Sequence, residues 1–217
     1  MGGSSRVRIL LETTPKKTFA TAVDWPGWSR AGKTPEAAIE TLLAYRDRYA
    51  SAIAGSNEEP PQATGADAEE TVEGDGATAY GVPGKIAGAD REPLDAAEAA
   101  RRADIVAESW AFFDRTAAAA PAELRKGPRG GGRDTAAVIG HVVGADGSYA
   151  RELGLRLDEP DPADTTAIAA MRAAMLEVLR RPSDGSPIVK RWTSRYAAMR
   201  IAWHALDHAW EIEDRSS

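Results

Sequence analysis

The sequence predicts an α+β protein in which a small N-terminal domain, a β-hairpin followed by one helix, precedes an all-α four-helix bundle. Three observations carry this expectation. Two short segments near the start have polar-apolar alternation and β-forming residues. From Pro93 onward the texture changes to alanine-rich stretches with apolar residues at helical spacing. Clear breakers then divide that second region into four helices of similar length. With 217 residues the chain has room for one large domain or two small ones. The change of texture puts the boundary near residues 84–93, giving a first domain over 1–84, a linker over 85–93 and the bundle over 94–217.

Each element has its own signal. Residues 6–12, Arg-Val-Arg-Ile-Leu-Leu-Glu, begin by alternating, and residues 18–24, Thr-Phe-Ala-Thr-Ala-Val-Asp, are rich in β-formers, so the two read as a hairpin across Thr13 to Lys17. Pro26-Gly27, between Trp25 and Trp28, marks a turn. Thr34 and Pro35 supply an N-cap and a first-turn proline for a helix over 36–52, with Ile39, Leu42, Leu43 and Tyr49 toward the sheet. Residues 55–70 are rich in Pro, Gly, Glu and Ala without periodicity and predict a mobile loop. Residues 71–82 have room for one short strand. In the bundle, the first helix covers about 94–120, with Ile105, Ser109, Phe112 and Thr116 as an inward row, and stops at Pro121. A loop containing Gly127-Pro128 and Gly130-Gly131-Gly132 leads to Asp134 and Thr135, which start a second helix ending near Gly154. The third, about 162–181, carries Ile168, Met171, Met175 and Val178. The fourth, 188–213, lines up Trp192, Tyr196, Met199, Trp203, Leu206 and Trp210 on one seam.

Composition narrows the functions. Acidic residues outnumber basic ones 33 to 27, for a net charge of -6, which argues against nucleic acid as a partner. No stretch approaches the roughly 20 apolar residues of a membrane span, and Met-Gly-Gly-Ser-Ser is followed at once by Arg6 and Arg8 with no apolar signal region. The expectation is a cytoplasmic protein with no membrane partner. There is no cysteine, so disulfides, thiolate ligands and cysteine nucleophiles are all excluded, and any thiol chemistry needs an outside thiol. Arginine outnumbers lysine 21 to 6 and Asn57 is the single asparagine, which hints at a GC-rich genome.

The chain has three histidines. His204 and His208, in Trp-His-Ala-Leu-Asp-His-Ala-Trp, stand at i and i+4, so on a helix their imidazoles share a face about 5–6 Å apart at Cβ and can reach one metal ion. His141 lies mid-way along the second bundle helix beside its apolar face, where a ligand from a facing helix would complete the set. Taken singly, each has a plainer reading: a core histidine satisfied by a hydrogen bond for His141, a chance exposed pair for the other two. Together, every histidine falls on or near an inward bundle position.

Residues 94–213 resemble the DinB-like four-helix bundles, a superfamily that includes the mycothiol-dependent maleylpyruvate isomerase N-terminal domain and the bacillithiol transferases. The resemblance rests on His141 in Ile-Gly-His-Val-Val-Gly-Ala-Asp and on the His-x-x-x-His pair of the last helix. It implies that His141, His204 and His208 coordinate a divalent metal, commonly zinc or nickel, with positions open for water or substrate, and that the helices run up-down-down-up. Residues 6–50, above all Val-Asp-Trp-Pro-Gly-Trp-Ser-Arg-Ala-Gly-Lys-Thr-Pro-Glu, are similar to the small HicB-type antitoxin domain, without a recognisable adjacent DNA-binding element. That similarity implies a fold and a protein-binding or dimerising role, a homodimer included.

Other residues have two readings each. Asp207 and Glu211, beside the histidine pair, are the candidate catalytic carboxylates, orienting an imidazole or acting as general base, or else are solvated. Asp146 has the same two readings. Trp203 and Trp210 wall an apolar pocket over the metal or pack in the core, and Trp25 and Trp28 form a partner platform or pack the hairpin on its helix. Arg125, Lys126, Arg129 and Arg133 receive an anionic substrate or a thiol's carboxylate, or are solvated. Gly130 to Gly132 lacks the preceding strand and following Lys-Ser/Thr of a phosphate loop.

Three functional readings follow. The first is a metal-dependent DinB-like enzyme, a thiol transferase using mycothiol or a hydrolase, acting on a small-molecule substrate. The second is a non-catalytic metal-binding or protein-binding regulatory module. The third, a DNA-damage or antitoxin role, needs a basic surface that the charge balance does not supply.

Overall fold

The computed structural model describes residues 5–126 and 132–216. Gly127, Pro128, Arg129, Gly130 and Gly131 of the expected glycine-rich loop lie outside the described residues. The fold is α+β. Strands β1 (Ser5–Thr13), β2 (Thr18–Ala22), β3 (Ser29–Gly32) and β4 (Ala63–Glu73) form one mixed sheet in the order β3-β2-β1-β4. Helices α1 (Pro35–Ala44) and α2 (Arg46–Ala52) lie between β3 and β4 in sequence, and the short α3 (Gly76–Tyr80) follows β4. The bundle helices are α4 (Ala96–Ala119), α5 (Thr135–Glu152), α6 (Thr165–Leu179) and α7 (Ser194–Ser216).

The expected hairpin is present: β1 and β2 pair antiparallel, with Leu11 opposite Ala20. Thr34 caps α1 by accepting from the Ala37 N–H at 3.2 Å, with Pro35 in the first turn, although the expected single helix breaks at Tyr45 into α1 and α2. The mobile loop expected over 55–70 is a correction. Residues 63–73 are β4, which pairs parallel with β1 from Ser5 opposite Ala63 to Thr13 opposite Glu73. As an edge strand with Ala63 its one buried residue, β4 carries no hydrophobic period; Asp67 and Glu69 instead pair with Arg6 and Arg8 of β1, both at 2.7 Å. Most of the short strand expected over 71–82 is likewise replaced by α3, closed by a capping box between Asp75 and Thr78.

The ends of the bundle helices fix their directions. Arg195, at the start of α7, donates to the Glu92 and Pro93 carbonyls just before α4, while Arg125, after α4, donates to the Asp214 carbonyl near the end of α7, so α4 and α7 run parallel. The Thr135 hydroxyl at the start of α5 donates to the Pro121 carbonyl after α4, and Leu94 bridges Ser183 beyond α6, so α5 and α6 run the other way. The connectivity is up-down-down-up.

Two buried clusters meet on α7. One fills the bundle with Val106, Trp110, Phe113, Val142, Met175 and Tyr196. The other joins Ile9, Leu11, Trp28, Leu42 and Tyr49 of the sheet and its helices to Ile105, Leu206 and Trp210 of the bundle. The inward row expected for α4 is therefore divided. Ala103, Val106, Trp110 and Phe113 enter the bundle, Ile105 faces the sheet cluster, and Thr116 is only half-buried. Gly27 holds the β2–β3 turn against α7. Its φ of +89° favours glycine, and a Cβ there would lie 2.9 Å from Ala202 Cβ and Leu206 Cδ1. Trp28 is fully buried, stacked on Tyr49 at 5.3 Å and donating to the Leu42 carbonyl at 2.8 Å, so the packing reading holds for it.

Candidate metal centre

The seam between α5 and α7 is built by antiparallel helices, so the row His141 to Tyr149 on α5 runs against the row His208, His204, Arg200 on α7. His141 lies edge-on to His208 with ring centroids 4.8 Å apart, His204 and His208 are 4.6 Å apart, and Tyr149 is edge-on to His204 at 5.7 Å. The seam thus brings all three histidines to one point, with a nitrogen of each within 4.8 Å of the others.

The donor set fits a divalent ion. His141 Nε2 and His204 Nε2 are 3.2 Å apart, close to the edge of about 3.3 Å expected between two imidazole nitrogens each roughly 2.0–2.1 Å from one tetrahedral ion. Burial pushes the pKa of His204 well down, and that of His141 down as well, each helped by the neighbouring His208, so both are neutral and keep a lone pair for a ligand at neutral pH. His208 is oriented differently. Its Nδ1 pairs with Glu211 Oε2 at 2.7 Å, which leaves Nε2 as its coordinating nitrogen.

Glu211 also accepts from Arg215 Nη1 at 2.7 Å, and its hydrogen bond with His208 holds its pKa below the usual carboxylate range. Asp207 is elsewhere. It accepts from Arg30 Nη1 of β3 at 2.9 Å, and Arg30 in turn lies 4.1 Å from the Tyr45 ring centroid and 5.2 Å from that of Trp210. Trp210 therefore belongs to the sheet-side cluster and does not wall the metal centre, while Trp203 packs edge-on against Phe19 of β2 at 6.1 Å. Tyr149 packs edge-on against His204 instead and is itself backed by Trp192 at 5.2 Å, a role their positions in the sequence did not signal. Asp146 is a structural group: it accepts from Trp110 Nε1 at 3.1 Å and Arg172 Nε at 3.0 Å, tying α4, α5 and α6 together. Of the basic loop residues, Lys126 pairs with Asp134 and Arg125 with the end of α7. The Arg133 carbonyl accepts from Arg215, and its positive charge contributes to the low pKa values of His141 and His204.

A cleft of about 610 Å³ is not over the histidines. It opens between α4, α5 and α6, lined by Trp110, Phe113, Ile139, Val143, Ile168 and Leu176. Ile139 and Val143 stand two residues either side of His141 and so point to the opposite face of α5.

No family model, curated protein or solved structure compared with the chain matches it. Among the described residues no helix is long and apolar enough to cross a membrane.

Proposed function

We propose that the chain is a DinB-like protein in which His141, His204 and His208 hold one divalent ion, zinc or nickel, and that it is a metal-dependent enzyme of small molecules, a thiol transferase using mycothiol or a hydrolase. The observation that carries the proposal is convergence: the chain's three histidines, drawn from two helices, offer nitrogens within 4.8 Å of one another at a largely buried point. The up-down-down-up connectivity supports the DinB-like reading, and the sheet with its crossing helix supports a HicB-type N-terminal part.

When bound by three protein ligands, such an ion lowers the pKa of a water or thiol at its remaining position toward neutrality. The chain's own residues supply the rest. Burial keeps His141 and His204 neutral, Glu211 fixes the tautomer of His208, and Tyr149 packs edge-on against the His204 ring. The thiol comes from outside, since the protein has none. The test is turnover of activated esters and epoxides by zinc- or nickel-loaded protein, with and without an added low-molecular-weight thiol. We expect turnover that His204→Ala lowers about 100-fold or more; equal rates in the two proteins contradict the proposal.

A second reading, a non-catalytic metal-binding or regulatory module, has an observation of its own. Neither candidate carboxylate is free to act as a base, because Arg30 engages Asp207 while His208 and Arg215 engage Glu211. Stoichiometric metal without turnover favours that reading.

A further inference from the structure

We infer that the ligand of this centre carries a carboxylate and that Arg200 is the residue that clamps it. The inference rests on the three-histidine reading and names the substrate class of the same site.

Arg200 lies one turn of α7 before His204, on the face shared by His204 and His208. Its guanidinium is 4.6 Å from the Trp203 ring centroid and 5.7 Å from that of Tyr149, the tyrosine that packs on His204. It therefore stands at the end of the histidine row, packed against aromatic side chains. Its partners are what set it apart. Arg102 and Arg172, the two arginines in the buried core, each meet carboxylates: Arg102 pairs with Glu98 at 2.7 Å, and Arg172 with Asp146 at 3.0 Å and Asp114 at 2.9 Å. Arg200 forms no ion pair among the described residues, and its Nη1 is buried without a hydrogen-bond partner. A buried cationic N–H left without an acceptor is strongly unfavourable, and a guanidinium's planar fork is matched by a carboxylate.

The surroundings favour the same class of ligand. The other unpartnered buried polar atoms of residues 192–204 are Trp192 Nε1, Arg195 Nη1, Trp203 Nε1 and His204 Nδ1: nitrogens, with no carboxylate among them. The carboxylate that touches the histidines, Glu211, is already engaged by Arg215 at 2.7 Å. A carboxylate seated on Arg200 would place the remainder of the ligand one helical turn from His204, about 6 Å along α7.

The test is fluorescence titration of the metal-free protein with benzoate and with its neutral isostere benzamide, read at the protein's own tryptophans. We expect saturable binding of benzoate with a Kd in the low millimolar range, at least about 10-fold weaker binding of benzamide, and a similar loss of benzoate affinity in Arg200→Gln. Arg200→Lys, which keeps the charge and loses the fork, should fall between. Zinc stoichiometry of each variant is the folding control and should equal that of the wild type. Benzoate affinity equal in wild type and a zinc-binding Arg200→Gln, benzamide bound as tightly as benzoate, or no saturable benzoate binding overturns the inference. A wild-type protein that fails to bind zinc overturns the three-histidine reading instead, so the two failures are distinguishable.

Discussion

Asp146 lies one turn and a little beyond His141, and its surroundings rather than its sequence position decide its role. Only 1% exposed, it is pushed by burial to a pKa of about 6 from an ordinary 3.8, against the pull of Arg172 and the Trp110 N–H. The folded protein therefore holds the Asp146 proton more tightly than the unfolded chain does. The associated stability is present in full below the ordinary value and is lost as pH rises through about 6, an effect of about 2–3 kcal/mol. Chemical denaturation at several pH values should show the advantage of the wild type over Asp146→Asn shrinking by about that amount between pH 4 and pH 7. A difference independent of pH contradicts this account. At this scale the pairing of His204 and His208 was legible because i and i+4 spacing is a local signal that any helix turns into a shared face. Asp207 was not, because its partner Arg30 is 177 residues away in sequence.

The elements show the same division between local and distant signals. The bundle helices announce themselves by period and breakers, and Asp95 and Asp164 cap α4 and α6 by accepting from Glu98 and Ala167 at 2.8 and 2.9 Å. β4 does not, because an exposed edge strand draws its stability from the ladder with β1 and its cross-strand ion pairs, neither of which leaves an apolar pattern. α7 hides a second feature. Its aromatic seam reads as one inward row, yet the helix is buried nearly all round, with Met199 and Ile212 in the bundle cluster and Leu206 and Trp210 in the sheet cluster. Leu206 of α7, fully buried against the sheet-side elements, couples the two. Leu206→Ala should cost about 2–5 kcal/mol and lower a single unfolding midpoint reported alike by far-ultraviolet circular dichroism and tryptophan fluorescence. Two separate transitions, with only one of them shifted, contradict that coupling.

At the scale of the whole molecule, the sheet and the bundle are joined by polar contacts as well as apolar ones. Arg30 reaches Asp207, Arg102 donates to the Val23 carbonyl at 3.1 Å, and Arg8 pairs with Glu92 at 3.0 Å in the segment read from sequence as a linker. The consequence for the candidate centre is that α7, which carries two of its three histidines, is braced on the sheet side by Asp207 and Trp210 while its opposite side meets α5. Asp207 thus contributes to how α7 is held, through Arg30, and stands apart from the histidine cluster. The most direct measurement is a zinc titration of the wild type beside His141→Ala, His204→Ala, His208→Ala and Asp207→Ala. One equivalent should bind to the wild type and to Asp207→Ala with similar affinity, and each histidine variant should lose about 100-fold or more. A wild type that takes up no zinc, or any two histidine variants that bind it as the wild type does, contradicts a centre shared by all three.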